Sequence, residues 1–135
     1  MEPIPEEFLD LFDKPAIATI ATLLPDGQPH NVPVWVGYDG SDVLVVTRRA
    51  TRKYRNIRRD PRATVTIVDP DDPSRYVEVR GTVETRDDDD PLEVVDRFAD
   101  RYWNVEKYPH SREADRALLR IRPEHVSGRR IETPD

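Results

Sequence analysis

Ala16-Ile-Ala-Thr-Ile-Ala-Thr-Leu23, Pro25-Asp26-Gly27 and Asn31-Val-Pro-Val-Trp-Val-Gly-Tyr38 read as a strand, a turn and a returning strand. β-Branched residues crowd the first run, and Pro-Asp-Gly supplies the backbone geometry of a tight reversal. Pro33 has no N–H to give to a ladder, so the second strand belongs at a sheet edge or at a bulge. Asp39-Gly40 marks a further hairpin into Val43-Leu-Val-Val-Thr47. Further along, Ala63–Val68 is a strand, Asp69–Ser74 a loop, and Tyr76–Glu84 a long alternating strand. Arg116–Arg122 and Val126–Ile131 read as two last strands.

Two helices lie outside this meander. Pro5–Phe12 is a short amphipathic helix with Phe8, Leu9 and Phe12 on one face. Asp90-Pro91-Leu92-Glu93 has the form of a helix start, with a capping Asp, Pro in the first position and Glu in the third. Leu92, Val95, Phe98, Ala99 and Tyr102 then share an apolar face. Hairpin-joined strands with helices at the ends point to a mainly β (α+β) chain, a small antiparallel barrel rather than a βαβ repeat. Residues 1–135 read as one domain.

Between two strands stands Thr47-Arg-Arg-Ala-Thr-Arg-Lys-Tyr-Arg-Asn-Ile-Arg-Arg-Asp60-Pro61. Seven cations, Arg48, Arg49, Arg52, Lys53, Arg55, Arg58 and Arg59, crowd this loop and short helix, although the whole chain carries a net charge of −6. Thr51 can cap the helix, whose free N–H groups and dipole favour a phosphate. Pro61 should end the helix near Asp60. Helical spacing turns Arg55, Arg58 and Arg59 away from the first turn, toward surface or interface salt bridges. Tyr54 and Ile57 should pack inward.

Composition narrows the functions available. Only 36% of residues are hydrophobic and 36% are charged, so pooling apolar surface in a homodimer would help a chain of this size. The absence of Cys excludes disulfides, thiolate metal sites and a Cys nucleophile. No apolar run approaches the ~20 residues that span a bilayer, and the start of the chain is unlike a signal peptide, so no membrane association and a cytoplasmic location are expected. A pI near 5.1, and the lack of aromatics interleaved with the basic helix, weigh against nucleic acid. His30, His110 and His125 are too scattered for a metal site, and no nucleophile elbow or Walker loop is present. Catalytic side chains stay unassigned; an enzyme built this way would borrow its reactivity from a cofactor.

Ala18-Thr-Ile-Ala-Thr22, Asp26-Gly27-x-Pro29 and Val32-Pro-Val-Trp35 resemble the opening of the pyridoxamine 5'-phosphate oxidase-like split β-barrel proteins. Lys53-x-Arg55-Asn56-x-Arg58-Arg59-Asp60-Pro61-Arg62, followed by Tyr76-Val-Glu-Val-Arg-Gly81, resembles the branch that binds the deazaflavin coenzyme F420. Tyr102, Tyr108-Pro109-His110 and Ile121-Arg-Pro123 fit the same pattern. The resemblance implies a homodimer with two cofactor sites at its interface. It implies that Pro33, Val34 and Trp35 line the ring, that Thr47, Arg48, Thr51, Arg52 and Lys53 surround the phosphate, and that Ser74, Arg75 and Tyr76 of the partner close the site. Many relatives carry Arg where Thr51 stands, so the phosphate contacts are expected to shift by one residue. The implied activity is hydride transfer between F420 and a small electron-poor organic molecule. The alternatives are an FMN-binding oxidase or flavin reductase on the same barrel, and a carrier that holds F420 without turnover.

Overall fold

The computed structural model describes residues 2–132 and Pro134. Seven strands form one antiparallel sheet: β1 (Ala18–Leu23), β2 (Pro29–Val34), β3 (Gly37–Tyr38), β4 (Val43–Arg48), β5 (Arg62–Val68), β6 (Arg75–Glu84) and β7 (Arg116–Arg130). Their order is β2-β1-β5-β6-β7-β4-β3. The strands β2 and β3 stand at opposite edges, yet only Trp35 and Val36 separate them in the chain. One extended segment therefore runs along both edges, and the sheet has to curl into a split barrel. Pro33 sits opposite Thr19 on the β2 edge, where its missing N–H costs no second ladder.

Both hairpin turns form where the sequence places them. Gly27 and Gly40 hold φ of 89° and 94°, a region open to glycine and strained for other residues. Inside the barrel, alternate residues of the strands meet. Ile20, Val45, Val65, Ile67, Val79 and Leu119 are fully buried, each contributing about 1.5–3 kcal/mol relative to exposure. A 3-10 helix, Glu6–Phe12, adds Phe8, Leu11 and Phe12 to this core. Leu11 joins the face expected from the sequence, and the expected Leu9 packs half-buried against the same core.

The two last strands expected from the sequence are one. β7 runs unbroken through Pro123-Glu124-His125 because a bulge absorbs an extra residue: Gly81 pairs with Pro123, Arg80 pairs with His125, and Glu124 is left over. Gly81 is required there, since a Cβ would lie 1.8 Å from the Arg122 carbonyl oxygen.

Helix α1 (Arg52–Arg59) follows β4, and α2 (Pro91–Trp103) follows β6. Asp90 caps α2 by accepting the Glu93 N–H at 3.2 Å. Val94 and Phe98, with Val94 taking the place expected for half-buried Leu92, pack on Leu44 and Leu118 of the outer sheet face. The end of α2 seals the split. The Tyr102 hydroxyl donates to the Ala16 carbonyl (2.7 Å) and accepts the Val36 N–H (3.2 Å), while Arg101 donates to the Val36 carbonyl (2.6 Å). The backbone groups orphaned where β2 breaks into β3 are thereby satisfied. Among the described residues no helix is long and apolar enough to cross a membrane.

Candidate functional site

A cleft of about 490 Å³ opens between α2, the outer face of β4 and the kink at Trp35. Pro33, Val34, Trp35, Thr47, Arg48, Thr51 and Lys53 all line it. Arg52, Ser74, Arg75 and Tyr76 do not. Arg52 is exposed at the start of α1, and Ser74 bonds Asp72. The Arg75 guanidinium is engaged within its own chain by Asp69 (2.8 Å) and Asp10 (2.9 Å).

The junction of β4 and α1 brings the polar groups together. Thr47, the penultimate residue of β4, is buried at 4% exposure, and its hydroxyl lies 2.9 Å from that of Thr51. Thr51 donates to the Arg48 carbonyl (2.9 Å) and caps α1 through the Tyr54 N–H. Lys53, one residue into the helix, is half-buried and makes no ion pair among the described residues. Burial without a counter-charge pulls its ammonium pKa below the usual lysine value. Arg48 stands opposite Arg116 across the β4–β7 ladder, and both reach the cleft. Like charges in directly opposed positions repel, and among the described residues no Asp or Glu lines the cleft to offset them.

Aromatic rings form the other wall. Trp35 stacks on Tyr102 (5.0 Å between centroids, 6° between planes) and meets Trp103 edge-on at 4.6 Å. Trp103 stacks on Tyr108 (5.6 Å, 14°), and His110, an exposed loop residue, touches both edge-on. Burial raises the Tyr102 hydroxyl pKa above its ordinary value, so it stays protonated for its two bonds.

Sequence reading missed Arg116 because its place depends on strand register, which a local pattern does not carry. It also missed Asn56, fully buried in α1 with its amide N–H donating to Thr22 at 3.0 Å. The salt bridges expected of Arg55, Arg58 and Arg59 are corrected within this chain. Arg55 and Arg59 donate to the Ala50 and Leu23 carbonyls, and none of the three pairs with a carboxylate among the described residues. The nearby Asp60 is taken by Arg62, whose hydrogen bonds hold its carboxyl at about 2. Tyr54 and Ile57 do pack inward.

Residues 4–130 match the family model described as pyridoxamine 5'-phosphate oxidase. The chain belongs to the pyridoxamine 5'-phosphate oxidase family. Its fold, a curled antiparallel sheet with few helices, is that of the family's split barrel. Among solved structures, an F420 reductase is similar over 92% of this chain and 98% of its own, with 34% identity and a TM-score of 0.79. The conserved hypothetical protein Rv2991 from Mycobacterium tuberculosis is 26% identical over 93% of this chain and 83% of its own, with a TM-score of 0.72. The General Stress Protein 26 from Bacillus anthracis, 18% identical over 91% of each chain, has a TM-score of 0.67, a likeness of fold alone. The family includes oxidoreductases.

Proposed function

We propose that this member of the pyridoxamine 5'-phosphate oxidase family is an F420-dependent reductase that passes a hydride to a small electron-poor organic substrate. The observation that carries the reading is a cleft lined by Arg48, Lys53 and Arg116 and, among the described residues, by no carboxylate, in a chain of net charge −6. The 34% identity to an F420 reductase favours the deazaflavin over FMN.

The donor set suits a phosphorylated ring. Lys53 and Arg48 offer charge-assisted bonds, Thr47 and Thr51 offer hydroxyls, and α1 turns its positive end toward them. A volume of about 490 Å³ lies in the ordinary range for cofactor pockets. Pro33, Val34 and Trp35 would lie along the ring, with Val95 and Phe98 keeping water from its reacting edge. When bound, the deazaflavin supplies a hydride from a ring carbon, so no side chain need act as nucleophile. The chain's own task is to fix the ring, leave one face open to substrate and exclude water.

A homodimer is part of this reading. One step beyond the Ala18–Ile67 pair, exposed Ile17 stands beside exposed Val68, which itself faces Tyr76 across β5–β6. Ile17 also borders the cleft. This apolar row supports a partner face that runs from the cleft to Tyr76, whose hydroxyl makes no hydrogen bond among the described residues. In this arrangement Tyr76 and Ser74 of one protomer close the cleft of the other.

Titration of the purified protein with F420 and with FMN tests the proposal. Deazaflavin fluorescence should be quenched at micromolar concentration with no response to FMN, and pre-reduced F420 should be oxidised by a test enone. The converse cofactor preference overturns the F420 reading, and F420 binding without turnover makes the protein a carrier.

A further inference from the structure

Lysine occurs only at Lys14, Lys53 and Lys107, and the three stand in different surroundings. Lys14 lies among carboxylates, 3.1 Å from both Asp69 and Asp71 and 3.5 Å from Asp10. Hydrogen bonds to Asp71 and Asp69 hold its ammonium above the usual lysine value. Lys107 is exposed on the loop that follows α2. Lys53 is half-buried in the wall of the cleft, and no anion stands beside it among the described residues.

Two properties meet at Lys53. Burial without a counter-charge favours the neutral amine, the form whose lone pair attacks an electrophile. The same cleft gathers phosphate donors: the Thr47 and Thr51 hydroxyls, 2.9 Å apart, and the Arg48 guanidinium. Donors that seize a phosphate concentrate whatever that phosphate carries in the cleft that holds the amine. Neither other lysine combines the two. Carboxylates around Lys14 repel a phosphate, and Lys107 does not line the cleft.

We propose that Lys53 is an acylation site and that its acyl donor is a small acyl phosphate drawn into the cleft. The inference rests on the reading of the β4–α1 junction as a phosphate site and not on which cofactor fills it. The neutral Lys53 amine forms an N–C bond to the acyl carbon. The bond from that carbon to the phosphate oxygen breaks, its electron pair leaves with the phosphate, and the amine gives a proton to the departing anion. Nothing is oxidised or reduced, and the Arg48 guanidinium and the two hydroxyls stabilise the leaving group. The amide product carries no charge, so acylation removes the half-buried cation from the site. A phosphorylated cofactor and an acyl phosphate thus compete for one cleft.

Acetylation of the full chain, followed lysine by lysine with peptide mass spectrometry, tests this. Acetyl phosphate and N-acetoxysuccinimide transfer the same acetyl group with and without a phosphate. The Lys53 to Lys107 rate ratio should be about tenfold higher with acetyl phosphate, the gain that one hydrogen bond to a charged group supplies. Added inorganic phosphate should slow Lys53 and spare Lys107, and Arg48→Gln should lower the ratio. Equal ratios with the two donors overturn the proposal and leave the cofactor reading to its own titration. A Lys53 rate that inorganic phosphate leaves untouched overturns it too. If phosphate protects Lys53 and saturating F420 does not, the acylation site stands and the deazaflavin reading falls.

Discussion

Lys53→Met separates a ligand-binding role from a structural one, because the two predict opposite signs. The ammonium is half-buried, lines the cleft and has no anion beside it among the described residues. Folding therefore lowers its pKa. The unfolded chain binds that proton more tightly, so the charge is a standing cost to the folded state at neutral pH. The cost is relieved only as pH climbs through the lowered value toward 10.5. Methionine removes the charge at similar volume, so the ligand-free variant should melt at or above the wild-type temperature near pH 7. Binding should move the other way. A hydrogen bond to a charged group contributes about 1.5–3 kcal/mol, so F420 affinity should fall roughly 10- to 150-fold. Burial protects this contact from salt, whereas exposed Arg48 is screened. Arg48→Gln should cost no more than about 1 kcal/mol, and less as salt rises from about 0.05 M to about 0.5 M. Fluorescence titration at the two salt concentrations, beside thermal melts of the ligand-free proteins, measures both effects. An unchanged F420 affinity in Lys53→Met, or a lowered melting temperature of its ligand-free form, would refute the reasoning.

Three further outcomes follow from the fold. Tyr102→Phe strands the Ala16 carbonyl and the Val36 N–H at the barrel split, and denaturant unfolding should report a loss of about 1–3 kcal/mol. Gly81→Ala drives a methyl into the Arg122 carbonyl oxygen and should cost about 3 kcal/mol or prevent folding, as soluble expression and melting would show. Burial alone would raise the Asp69 carboxyl, but the Asp71 N–H, Arg75 and Lys14 outweigh it and bring the pKa to about 2. Its stabilisation is complete above the unfolded value of 3.8 and is lost as pH falls toward 2. Asp69→Asn should therefore lower stability near pH 7 by about 1–3 kcal/mol and flatten this part of the acid unfolding curve.

How much the sequence reveals depends on how local the information is. The β1–β2 and β3–β4 hairpins are legible because alternation and turn residues sit together within a few positions. The thread from β2 to β3 is not, because it joins opposite edges of a sheet whose order is set by long-range pairing. Pro123 reads as a strand break only until Gly81 is known to face it; with that pairing it becomes a bulge inside one strand. At the cleft, Thr47, Arg48, Thr51 and Lys53 are contiguous enough for the sequence to bring them together. Arg116 enters through its register with Arg48, and Trp103 through the fold of the loop behind it. Within its own chain the Arg75 guanidinium is engaged by Asp69 and Asp10, contacts between distant segments that a local pattern does not carry.

A crystal structure of the protein soaked with F420 tests the central claim most directly. The account predicts a phosphate oxygen about 3 Å from the Lys53 Nζ, a normal hydrogen-bond distance, and a deazaflavin ring lying along Pro33, Val34 and Trp35. A phosphate bound elsewhere, with the Lys53 ammonium still unpaired, would contradict it.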